Sequence, residues 1–276
     1  MPPSIRVAEI AENSNNTFQA PRPTSSGSQR SARPEDPYTF LSNFDTVLLI
    51  DDSGSMIGSN WKEVAQALSL MAPIITSHDS DGMDIYFLNH LSNDKGGPGI
   101  APGGYRGIKR AATVSEIFRT VRPNYGTPTG TRIHHILKPY LAKAAEDAKA
   151  GIETKPLNLI VLTDGAASDD VESVLISCAK KLDKIDAPPF QVGVQFFQVG
   201  NDSGATAALK ELDDELGDRA GVRDMVDTVT WSGRDSGNLT GDGILKVVLG
   251  AVNRKLDRRN ASGEFSRRSQ EFASRR

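Results

Sequence analysis

A chain of 276 residues and 29.7 kDa, 38% of it hydrophobic, is enough to fill one sizeable core, and a formal net charge of −3 exerts no strong global pull on nucleic acid. Cys178 is the only cysteine, which excludes an internal disulfide framework and a cysteine-rich zinc site. No apolar run approaches membrane-spanning length and the opening residues lack the apolar stretch of a signal peptide, so the expected setting is cytoplasmic, with the nucleus as the alternative.

Residues 1–37 are polar and proline-bearing and are expected to be disordered; folding is expected to begin near Tyr38, with its aromatic and apolar neighbours against the sheet edge. Residues 47–50 are an unbroken apolar run with two β-branched members, the pattern of a strand buried on both faces. The run stops at Asp51-Asp52-Ser53-Gly54-Ser55. From Asn60 a helix is predicted, with Trp61, Val64, Ala65, Leu68 and Met71 at spacings near three and four. A second strand is predicted over 83–88, followed by the glycine- and proline-rich stretch 93–107, which reads equally as a specificity loop or as flexible filler.

A short edge strand is expected at 108–111 and a small helix at 115–121. The hydroxyl-bearing loop 126–131 leads into a helix that carries Ile133, Ile136, Leu137, Tyr140, Leu141 and Ala144 on one face. Residues 157–165 repeat the opening theme, a buried strand that ends in Asp164-Gly165. Helices follow at 170–185 and 205–216, strands at 190–199 and 226–231, and a closing helix at 244–256. The arginine-containing stretch 257–276 is expected to be a disordered tail, which leaves 38–256 as one domain. Alternating strands and helices make this an α/β chain: three layers, doubly wound, with a mainly parallel sheet between helices.

In such sheets ligands sit beyond the carboxyl ends of the strands. If three loops converge there, Asp51, Ser53, Ser55, Thr127 and Asp164 form one all-oxygen set. Two carboxylates balance a divalent charge and three hydroxyls add ligands without adding charge, which suits Mg2+ or Mn2+. Nothing in the set is an obvious general base, so gripping is expected rather than catalysis.

Asp51-Asp52-Ser53-Gly54-Ser55 resembles the Asp-x-Ser-x-Ser motif of von Willebrand factor A (vWA) domains, Thr127 matches the family's second-loop threonine, and Asp164 its third-loop aspartate. The resemblance covers roughly residues 40–256. It implies a sheet flanked by helices, a metal-ion-dependent adhesion site at those five residues, Mg2+ or Mn2+ as cofactor, and a protein partner whose Asp or Glu completes the metal shell. It also implies a closing helix that shifts in integrin-type relatives. Met56, Tyr125, Pro128 and Gly165, beside the motif residues, are the expected partner contacts.

The function expected on this basis is an intracellular adaptor and not an enzyme. One alternative is a structural member whose metal only orders the loops. A phosphotransferase is remote, because Ser53 stands where its general acid would be, and the flanks of Ser53 do not form a nucleophile elbow. Adjacent His134 and His135 point in different directions on a helix and make a poor zinc pair. Cys178 and Trp61 are expected in the core, Asp52 in support of its turn, and the acidic run Glu211 to Glu215 on a solvated helix face.

Overall fold

The computed structural model describes residues 38–231. The expected tails at 1–37 and 257–276 and the closing helix at 244–256 lie outside the described residues.

Among the described residues six strands form one sheet: β1 Asp45–Ile50, β2 Met83–Phe87, β3 Tyr105–Ile108, β4 Leu157–Thr163, β5 Val192–Val199 and β6 Val226–Trp231. Five α-helices among the described residues connect them: α1 Ser59–His78, α2 Ala111–Thr120, α3 Thr129–Ala150, α4 Val171–Lys184 and α5 Ser203–Ala220. The strand order is β3-β2-β1-β4-β5-β6, parallel throughout except for the antiparallel edge strand β3. The chain winds outward from β1 through β2 and β3, then returns to β4 on the other side of β1. The switch in winding therefore falls between β1 and β4, where a doubly wound sheet opens a crevice at its carboxyl end.

The apolar runs of β1 and β4 are buried on both faces because helices cover both. Leu48 and Ile50 point into a core with Val64, Leu68 and Met71 of α1, whereas Val47 and Leu49 pack with Ile133 and Leu137 of α3 and Leu175 of α4. Cys178 lies in this second core as expected, and burial pushes its thiol up to about 11. Trp61 packs at 4.6 Å from Phe118 and 6.3 Å from Phe87, on the side of α1 facing α2.

Three local expectations change. The entry segment Thr39–Asn43 is a 3-10 turn that buries Leu41 in the α1-side core and sets the Tyr38 ring 5.9 Å from that of His78, so it meets α1 rather than the sheet edge. The edge strand comes earlier than 108–111, because Tyr105 and Ile108 are the residues that pair with Ile85 and Met83. With the strand ended, α2 starts at Ala111, well before residue 115, and buries the stripe Val114, Ile117, Phe118.

The 93–107 stretch is not filler. Ser92 N donates to Gly103 O at 3.0 Å, Gly103 N to Asp94 O at 2.9 Å, and Tyr86 Oη to Ala101 O at 2.7 Å. Gly104 lies flat on the Tyr86 ring, where a Cβ would come within 2.5 Å of the ring Cζ. Its glycines let the backbone seat on an aromatic face.

At the opposite end of the sheet from the crevice, Lys155 lies 2.7 Å from Asp45, 3.5 Å from Asp79 and 3.3 Å from Asp81. Burial raises the Asp79 carboxyl above its ordinary value, with Lys155 opposing. A raised folded-state value means that the folded chain holds this proton more tightly than the unfolded chain. Its contribution to stability is therefore lost as pH rises from the ordinary carboxylate range through the raised value. Urea unfolding at a series of acidic pH values is expected to show a shallower fall of stability with pH in Asp79→Asn than in wild type. An unchanged slope would rule out Asp79 as a source of it.

Candidate metal centre

Asp51 is the first residue past β1, and its backbone N–H donates to Leu162 O at 2.8 Å, which continues the β1–β4 register in which Ile50 faces Leu162. That register carries Asp51 and Asp164 to the same end of neighbouring strands, at the switch point. The Asp51 side chain is fully buried; Oδ1 accepts from Ser53 N at 2.8 Å and Oδ2 from Thr163 Oγ1 at 2.6 Å. The Ser53 and Ser55 hydroxyls are 3.0 Å apart, and Ser55 Oγ donates to Asp164 Oδ1 at 2.8 Å. The other Asp164 oxygen accepts from Asn60 Nδ2 at 2.6 Å. Thr127, Ser55 and Asp164 line one open concavity of about 650 Å³, together with Asn60 and residues Gly200, Asn201 and Asp202 of the β5–α5 loop.

The loops are held by backbone bonds of their own. Gly54 N donates to Tyr125 O at 3.0 Å, Asn124 N to Asp52 O at 2.7 Å, and Ser168 N to Thr127 O at 2.9 Å. The Asp169 carboxylate accepts from Gly130 N at 2.9 Å and Thr131 N at 2.7 Å, which joins the start of α3 to the β4–α4 loop. Asp52 turns away from the concavity, and its carboxylate accepts from Asn89 N at 2.8 Å and His90 N at 2.9 Å. It supports the turn, as its sequence position beside Asp51 implies.

Burial raises the Asp51 carboxyl above its ordinary value; hydrogen bonds from Ser53 and Thr163 oppose this, and the charge of Asp164 adds to it. Among the described residues no ion pair involves Asp51 or Asp164. Two neighbouring carboxylates with hydroxyls between them and no cation beside them fit a small hard divalent ion. Among the described residues no three His, Cys, Asp or Glu side chains cluster, and the candidate set completes its two carboxylates with three hydroxyls.

The expected partner contacts divide. Met56 is fully buried in the α1-side core, because the short turn Gly54–Met56 points its side chain inward, so it presents nothing to a partner. Tyr125 is 76% exposed and adopts φ 70°, a backbone region costly for a bulky residue. Pro128 and Gly165 are half-buried at the concavity's second and third loops. The histidines are scattered: His90 Nε2 lies 2.8 Å from Tyr105 Oη, His135 Nε2 lies 3.2 Å from Pro102 O, and His134 is exposed.

Two residues of the site escaped the sequence reading. Thr163 reads as the last residue of a buried strand, yet its hydroxyl fixes Asp51. Asn60 reads as a helix-start residue, yet its amide fixes Asp164 from α1. Their only sequence signal is adjacency to the motifs.

The family model described as von Willebrand factor type A domain matches residues 45–222. No curated protein matches the chain. Among solved structures it is similar to the manganese-loaded Plasmodium vivax TRAP protein, at 17% identity over 69% of this chain and 70% of that one, with a TM-score of 0.38. It is also similar to a human COPII-coat protein, at 12% identity and a TM-score of 0.34 over 75% of this chain and 32% of that one. A pilus adhesin of Streptococcus pneumoniae aligns at 16% identity and a TM-score of 0.25, over 55% of this chain and 25% of that one.

Proposed function

This chain belongs to the von Willebrand factor type A domain family, whose members commonly bind protein partners, and from that premise we propose that it is a metal-dependent protein-interaction module without catalytic activity, acting inside the cell. Asp51, Ser53, Ser55, Thr127 and Asp164 hold Mg2+ or Mn2+, and a partner's Asp or Glu is the incoming ligand. The observation that carries this reading is the buried Asp51, which accepts from Ser53 N while the Ser53 and Ser55 hydroxyls lead on to Asp164, with no compensating cation among the described residues.

The bound ion would supply an electrophilic centre with a coordination position open to a carboxylate. The rest is done by the chain. Thr163 and Asn60 hold the two carboxylates in place, each occupying one oxygen so that the rotation of Asp51 and Asp164 is restricted. The serine hydroxyls and Thr127 offer neutral oxygen, so that only two negative charges oppose the ion and its attraction for a third carboxylate survives. The structural alternative, a metal that merely ties loops, has less support, because backbone bonds already tie Gly54 to Tyr125 and Ser168 to Thr127.

The test is calorimetry of Mg2+ binding with and without an excess of the capped peptide Gly-Asp-Gly, beside its Gly-Asn-Gly counterpart. The aspartate peptide is expected to tighten Mg2+ binding and the asparagine peptide to leave it unchanged, with chelator abolishing the effect. Absence of Mg2+ binding in both arms would overturn the reading.

A further inference from the structure

On the flank of the domain, away from the metal loops, α1 and α2 leave a groove of about 340 Å³ between them. Its lining on α1 is Trp61, Lys62, Ala65 and Ser69, and on α2 Val114, Ser115, Phe118 and Arg119, with Arg122 just beyond. These positions recur at intervals of three and four, so two helical ridges run side by side. Residues 61 to 69 span eight rises, about 12 Å or roughly two turns. Trp61 and Phe118, 4.6 Å apart and tilted by 34°, form the floor with Val114 and Ala65. Ser69 Oγ donates to Ala65 O at 2.7 Å and Ser115 Oγ to Ala111 O at 3.2 Å. Both hydroxyls are thus satisfied by their own helices and demand nothing of an occupant.

The rim is cationic. Lys62, Arg119 and Arg122 are exposed, none has an ion-pair partner among the described residues, and no acidic side chain lines the groove. A chain with a net charge of −3 has placed around one apolar trough three cations that are unpaired among the described residues. From this charge complementarity and the two-turn length we propose that the α1–α2 groove is a second docking site, which takes a short amphipathic helix of a partner with apolar residues on one face and Asp or Glu along its flanks. Apolar side chains at i, i+4 and i+7 enter between the ridges, and the flanking carboxylates meet Lys62, Arg119 and Arg122.

Nucleic acid fits less well. The Trp61 ring already leans on Phe118, which leaves no free pair of aromatic faces for base stacking, and three cations over two turns match a helix flank better than a phosphate backbone.

The experiment follows the fluorescence anisotropy of a labelled capped peptide, two repeats of Glu-Leu-Leu-Glu-Ala-Leu-Glu, added to the full chain in EDTA. Saturable binding is expected, weakened at least tenfold by the double substitution Arg119→Glu with Arg122→Glu and weakened by added salt. A peptide with Lys in place of every Glu is expected not to bind. Both arginines are exposed, and a circular dichroism spectrum matching wild type shows that the variant is folded. Binding that survives the double substitution, or equal binding of the lysine peptide, overturns the proposal. So does tighter, equally variant-sensitive binding of a single-stranded oligonucleotide, which would assign the groove to nucleic acid. Sedimentation is run alongside: self-association that the same substitutions abolish would make a second copy of this chain the occupant and overturn the partner-helix proposal. Binding that requires Mg2+ would locate the peptide at the metal centre and overturn it as well.

Discussion

Asp51→Ala is expected to abolish Mg2+ and Mn2+ binding, a loss greater than the ten- to hundredfold typical of removing a group that only supports a ligand. The reason lies in how Asp51 is held. It is fully buried, one oxygen accepts from Ser53 N at 2.8 Å and the other from Thr163 Oγ1 at 2.6 Å, so its carboxylate is fixed in position. Asp164 alone leaves one negative charge against two positive. Titration calorimetry of wild type and variant at one fixed pH is the measurement, with circular dichroism confirming that the variant is folded. An isotherm for Asp51→Ala that overlays wild type would remove Asp51 from the ligand set.

The second large effect is expected at a glycine. A Cβ added at Gly130 would lie 2.7 Å from Asp170 O, 3.0 Å from Asp170 C and 3.1 Å from Val171 N. All three are backbone atoms of the segment leading into α4, so none can rotate away as a side chain would. Alanine is intrinsically better than glycine in a helix by about 1 kcal/mol, and Gly130 is the second residue of α3. The contact is nevertheless short enough for sterics to win. Gly130→Ala is expected to destabilise the fold by about 1–3 kcal/mol, the usual range for an overpacked contact, read as a lower urea midpoint.

The same substitution is expected to weaken Mg2+ binding, because displacing the β4–α4 loop strains the Asp169 bonds to Gly130 and Thr131 and moves Thr127 relative to Asp164. Gly126→Ala is the control. Its Cβ would meet nothing nearer than Ser168 Oγ at 3.8 Å, and its stability is expected to stay close to that of wild type. Equal behaviour of the two variants would dissociate loop packing from the site.

Much of this architecture is legible before folding because it is written in short-range patterns. A strand buried on both faces must be apolar at every position, so β1 and β4 announce themselves, and the aspartate that ends each run marks the carboxyl edge of the sheet. Less legible were the elements whose identity depends on a neighbour. The edge strand β3 is only four residues long and exists because Tyr105 and Ile108 pair with β2; its glycine- and proline-rich approach displaced the expected strand to 108–111. Once that strand ends, Ala111 is free to begin α2, which moved the helix start upstream of the expected residue. Met56 looked like a rim residue because it follows Ser55 directly, but a three-residue turn reverses its side chain into the core.

The sequence by itself determined the oxygen-rich residue types, their spacing within each loop, and the periods that make an α/β chain, since all of these are properties of consecutive residues. Only the tertiary structure decided which loops meet. Asp51 and Asp164 are 113 positions apart in the chain and become neighbours through the parallel β1–β4 register that sets Ile50 beside Leu162. Asn60 and Thr163 acquire their roles only once that register is formed, because a hydrogen bond is set by a distance of about 3 Å in space, which separation along the chain does not encode.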